Sequence, residues 1–138
     1  IANLKSGVDE KEYKDVEFGY VKFVYRVEAT DDTNYISLDK AKEAFAKINE
    51  LRKAQGLKEL TWSEDVYNSL ALPKANQISR QYDSTGFVAR REEDAATVAT
   101  KWYNSGLREL MLDPNATEGA VAAVVNGDGY YYWAFMYK

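Results

Sequence analysis

Two apolar runs flanking Asn126-Gly127-Asp128-Gly129, close to the C-terminal end, constrain this chain more than any other feature. Asn-Gly and Asp-Gly steps supply the positive-φ positions that a tight hairpin turn needs. Ala120 to Val125 therefore reads as a short apolar strand and Tyr130 to Tyr137 as its antiparallel partner. A lone hairpin is marginal in water, so other elements have to cover this one.

Three helical patterns precede the hairpin. Ser37 is placed to cap a first helix reaching about Gln55, with Leu38, Ala41, Phe45, Ile48 and Leu51 at helical spacing and Gly56 as the stop. Leu57 to Trp62 connects it to a second helix and delivers Leu60 and Trp62 to the core. Thr61 with Glu64 makes a capping-box pattern and Ser63 is the alternative cap; Val66, Leu70 and Ile78 mark the helix's length. Pro73 falls inside, and because proline lacks a donor and clashes with the preceding turn, a kink or interruption is expected at Leu72 and Pro73. Arg80 to Ala89, with Asp83, Ser84, Thr85 and Gly86, reads as a loop. The third helix is expected from about Glu92, acidic in its first turn, with Ala95, Val98, Ala99 and Trp102 as its apolar face. Ser105 and Gly106 break it, and Leu107 to Leu112 form one more short turn before Asp113 and Pro114.

Nearer the N-terminus, residues 1–14 are a polar lead-in. Val16, Phe18 and Tyr20, then Val21, Phe23, Tyr25 and Val27 on the other parity, read as a strand bent near Gly19. Strand, three helices, then hairpin is an α+β order, with helices covering a small antiparallel sheet. Residues 1–30 form an N-terminal extension with an added strand, and residues 31–138 form the main domain.

The 138 residues contain no cysteine and no histidine. Thiol nucleophiles, disulfides, Ser-His-Asp triads and histidine-ligated metal sites are all excluded at once. A net charge of −4 argues against general nucleic-acid or anionic-membrane binding, which needs a basic face. No run approaches the roughly eighteen apolar residues that cross a bilayer. The Asn115-Ala116-Thr117 sequon reads as an ordinary loop.

The stretch Asn49-Glu50-Leu51-Arg52, then Gly56 and Leu60-Thr61-Trp62, resembles the opening of the CAP superfamily, or SCP domain (cysteine-rich secretory proteins, antigen 5, pathogenesis-related 1). Trp102-Tyr103-Asn104-Ser105 through Leu112-Asp113-Pro114 is similar to that family's Trp-x-Asn-Ser-Pro-Gly-His-Arg segment, and Tyr130 to Phe135 is similar to its aromatic final strand. The resemblance covers roughly residues 37–138. It implies an αβα sandwich and an extracellular or cell-surface location. It also implies a cleft with two histidines and two acids, able in some members to hold a divalent metal.

Position by position, that centre is altered. Lys74 stands where the resemblance puts the first histidine, Phe87 where it puts a glutamate, and Leu107 where it puts the second histidine; the fourth residue has no clear counterpart. An ammonium, a phenyl ring and an isobutyl group are neither metal ligands nor bases near neutrality. The expectation is a non-catalytic binding domain without metal or cofactor, with Lys74, Phe87 and Leu107 around the degenerate cleft, which Phe87 and Leu107 either make more apolar or simply fill as core. Its partner would be a small hydrophobic molecule such as a lipid or sterol, or a host or surface protein. The competing reading is a hydrolase with a rearranged carboxylate site at Glu92 and Glu93. Adjacent helical residues point about 100° apart, which disfavours their convergence on one atom.

Overall fold

The computed structural model describes residues 34–81 and 83–138. The strand expected between Asp15 and Ala29 lies outside the described residues. The described chain runs β1 (Tyr35–Ile36), α1 (Leu38–Ala54), β2 (Thr61–Trp62), α2 (Glu64–Val66), a π-helical turn (Tyr67–Ala71), α3 (Leu72–Arg80), β3 (Val88–Arg90), α4 (Ala95–Tyr103), α5 (Arg108–Met111), β4 (Glu118–Val125) and β5 (Tyr131–Tyr137).

Helix α1 starts after Ser37, whose hydroxyl makes no cap. The backbone does that work instead: Ser37 N–H donates to Ala123 O at 2.9 Å, tying the helix start to the sheet, while Ser37 O accepts from Ala41 N–H. Gly56, at φ 76°, ends the helix. The N–H groups of Gly56 and Leu57 donate back to Lys53 O and Arg52 O, the doubled closure that a left-handed residue permits. Ala41, Ala44, Phe45 and Ile48 are buried, whereas Leu38, expected on the same face, is exposed in the first turn.

The second helical stretch is capped by Ser63, whose hydroxyl accepts from Val66 N–H at 3.1 Å. Thr61 belongs to β2 instead, so the capping box does not form, and Glu64 accepts from the Trp62 indole N–H at 2.8 Å. The interruption expected at Pro73 takes the form of the π-helical turn immediately before it, in which Leu72 N–H reaches back five residues to Tyr67 O. That extra residue per turn shifts the helical register. Leu70, one α-turn after Val66, therefore stays 41% exposed, while Ala71 is fully buried.

The sheet has the order β1-β4-β5-β3, with β2 pairing in parallel beside β4. The hairpin is in register as Ala122↔Ala134 and Val124↔Tyr132, closed by Gly129 at φ 86° and by Asn126, whose side-chain oxygen accepts from Asp128 and Tyr130 N–H. Both faces of the hairpin are buried. Val121, Ala123, Trp133 and Phe135 pack with Phe45, Ile48, Val98 and Trp102 of α1 and α4. Ala120, Ala122, Val124, Tyr132 and Ala134 pack with Val66, Tyr67, Ala71, Ala75 and Ile78. The result is an α+β, αβα sandwich, as the order of elements and the resemblance imply. At Gly119 a Cβ would stand 3.0 Å from Met136 O and 3.3 Å from Leu60 and Phe135, so a larger residue there would press on the neighbouring strand and the core.

Two short strands, β1 and β2, were not legible in the sequence, and β3 falls at the end of the stretch read as a loop. Helix α4 begins at Ala95 rather than near Glu92, because Asp94 is its cap and accepts from Thr97 N–H at 2.9 Å and from Thr97 Oγ1 at 2.6 Å. Two tryptophans fasten the segment ahead of it: Trp102 Nε1 donates to Val88 O at 3.0 Å, and Trp133 Nε1 donates to Glu92 O at 2.6 Å.

Candidate functional site

The segment from Trp102 to Pro114 turns sharply after α4. Ser105 Oγ donates to Trp102 O at 2.6 Å and accepts from Leu107 N–H at 3.1 Å, closing the helix end that the Ser-Gly pair marks. Arg108 folds back over the Tyr103 ring, 4.2 Å from its centroid, while its Nε donates to Tyr103 O at 2.8 Å. Leu107 is thereby held half-buried against the cluster that lies between α1, α4 and the sheet.

Phe87 sits in the same cluster and is 7% exposed. Its ring meets Phe135 at 5.0 Å and Trp102 at 5.7 Å, both edge-to-face, and Tyr137 at 6.5 Å. Its carbonyl accepts from Phe135 N–H at 3.0 Å, so both backbone and ring are committed to packing. Phe87 and Leu107 thus share one apolar cluster.

Lys74 lies on α3, in the layer that packs against the opposite face of the sheet. Its ammonium is 2.6 Å from Asp83 Oδ2, with both side chains about one-fifth exposed. Gln77 Nε2 donates to the same oxygen at 3.3 Å, and Thr85 N–H donates to Oδ1 at 2.8 Å. The bond from Lys74, then those from Thr85, hold the Asp83 carboxyl well below its ordinary range. Sequence reasoning named Lys74 and missed its partner; the Asp-Ser-Thr turn pattern was the available signal.

Asn49 and Arg52 are structural. The Asn49 amide clasps Leu60 from both sides, donating to its O at 3.0 Å and accepting from its N–H at 2.7 Å. Arg52, 1% exposed, donates to the carbonyls of Lys58, Met111 and Asp113 at 2.8–3.0 Å. Burial pulls its guanidinium down from the usual value, an effect that Asp113 and Tyr137 partly offset. The Tyr137 hydroxyl is pushed up, first by burial and then by the Asp113 carboxylate it bonds.

The competing reading rests on the carboxylates of Glu92 and Glu93. Glu92 is held by Lys101 Nζ at 2.9 Å, and Glu93 contributes its backbone carbonyl to Lys40 Nζ. Among the described residues there is no group of three or more His, Cys, Asp or Glu side chains placed to hold a metal ion. At the three positions inherited from the resemblance the donor chemistry does not fit one: an ammonium already bonded to a carboxylate, and two hydrocarbon side chains. No helix among the described residues is long and apolar enough to cross a membrane.

The described chain is thus a three-layer αβα sandwich, with a Trp-Tyr-Asn-Ser segment folded against its core and an Asn-Arg helix clamping the following connector. The chain belongs to the family described as CAP: Cysteine-rich secretory protein family, whose pattern matches residues 45–137. Among solved structures it is similar to a cysteine-rich secretory protein from Staphylococcus aureus subsp. aureus Mu50, at 24% identity, with a TM-score of 0.48. That similarity covers 72% of this chain and 38% of the other, so the chain spans well under two thirds of that protein's length. A comparison with curated proteins gives no match.

Proposed function

We propose that this is a non-catalytic, extracellular CAP binding domain that engages its partner through its outer surface. The observation that carries this reading is the position of Phe87, whose ring is surrounded by Trp102, Phe135 and Tyr137 at the point where the resemblance puts a glutamate. A side chain so placed contributes to the core and offers neither proton transfer nor a lone pair. Leu107 packs on the same cluster, and this supports a host or surface partner over a small hydrophobic ligand.

Hydrolysis of peptide, ester and glycan panels is the direct test. The expected outcome is no turnover above the uncatalysed rate, with Glu92→Gln and Glu93→Gln indistinguishable from the native chain. Turnover lost in either variant would establish the hydrolase reading. Titration with a fluorescent sterol is expected to show no saturable binding. Saturable binding abolished by Leu107→Asp would return the ligand to the cleft.

A further inference from the structure

Helices α1 and α4 leave between them an open groove of about 390 Å³, lined by Lys47, Ala96, Thr97, Thr100, Lys101 and Asn104. That size lies within the range of small-ligand sites, roughly 300–1,000 Å³. In a chain of net charge −4, no lining residue is acidic, and an ammonium comes from each of the two helices.

The polar groups are only partly committed. Lys47 faces Glu50 at 3.4 Å across one helical turn, and Lys101 faces Glu92 at 2.9 Å with its own side chain 66% exposed. Both are surface pairs, weak and screened, and an arriving anion competes with them. Thr97 already spends its hydroxyl on Asp94, and Asn104 accepts a long bond from Arg108 through its oxygen. The Thr100 hydroxyl and the Asn104 amide nitrogen make no hydrogen bond to other described residues, and both residues line the groove beside Ala96. Hydroxyl and amide donors flanked by two cations match a ligand that is itself polyhydroxylated and carries negative charge.

We propose that the α1–α4 groove binds a short anionic segment of a polyol or glycan chain, with Lys47 and Lys101 taking the charge and Thr100 and Asn104 taking hydroxyl groups. This rests on the reading of the protein as a surface-binding domain, and adds the site and the chemical class of its partner.

The test is titration of the full chain at low salt with three probes: a tetra-galacturonate, a glycerol-phosphate oligomer, and inorganic phosphate. Amide chemical shifts are followed along α1 and α4. At least one oligomer is expected to shift residues around Lys47, Thr100 and Asn104 saturably, and to bind at least about tenfold more weakly to the Lys47→Glu/Lys101→Glu variant. Lys42→Glu, whose ammonium lies over the Trp62 ring, should bind as the native chain does. Preference for galacturonate over glycerol phosphate, or the reverse, separates a carboxylated glycan from a phosphodiester chain. Equal binding of inorganic phosphate would reduce the groove to a simple anion site and overturn the proposal. Absence of groove-centred shifts with either oligomer would overturn it too, while the hydrolysis panel separately decides whether the domain is non-catalytic. If the double reversal does not fold, the shift map on the native chain still decides.

Discussion

Single residues anchor the connections between layers. Arg52, itself buried, supplies donors to three carbonyls, of which that of Met111 is buried and the other two part-buried, so Arg52→Met removes a partner from each. The expected loss is about 3 kcal/mol of unfolding free energy, read from urea denaturation, and a loss below roughly 0.5 kcal/mol would show that the carbonyls find other donors. Asp83 gives a pH-dependent counterpart. Because its carboxyl is held below its ordinary value in the folded chain, the unfolded chain takes up the proton first as the solution is acidified. Its stabilising contribution is therefore full well above about pH 4 and is lost as pH falls from there toward the folded value. Thermal melts between about pH 3 and 7 should show Asp83→Asn with a smaller acid-side fall in Tm than the native chain. An unchanged fall would mean the Lys74 bond contributes nothing. The Asn49-Arg52 pair was legible from the sequence as part of a family-like motif, whereas the role of Asp83 was not, because it depends on a loop returning to α3 across nine residues.

At the level of elements, the π-helical turn decides which side chains face the sheet. The sequence gives Val66, Leu70 and Ile78 a plausible 3.6-residue spacing, and Pro73 marks trouble without saying how it is resolved. Widening by one residue resolves it, and the buried set becomes Val66, Tyr67, Ala71, Ala75 and Ile78. Two neighbouring substitutions separate the registers. Leu70→Glu is expected to change stability by less than about 0.5 kcal/mol, while Ala71→Glu, which drives a carboxylate into a closed interface, should cost about 3 kcal/mol or more. The opposite ranking would restore the regular helix. The same limit explains the missed strands β1, β2 and β3: with two or three residues each they have no periodicity to detect, and only the long hairpin to which they pair organises them.

For the molecule as a whole, the hairpin and the helices facing it were legible because their apolar patterns are long. The family resemblance was legible because two ordered motifs persist. The state of the cleft that the resemblance implies was not, since Phe87 and Leu107 are compatible with either an apolar cleft or a filled one. Packing favours the filled one: Phe87 meets three rings, and Leu107 leans on the same cluster. Lys74, assigned to the same centre from the sequence, pairs with Asp83 in the loop that precedes β3. Calorimetric titration with zinc is accordingly expected to show no tight stoichiometric site, and one such site would contradict the reading of the donor set. The central claim is that the position occupied by Phe87 now serves the core. Equilibrium unfolding of Phe87→Ala measures this most directly. A loss of about 3–5 kcal/mol is the result expected for an aromatic ring removed from a packed interior, and a loss below about 1 kcal/mol would mean that the ring lines an open cleft.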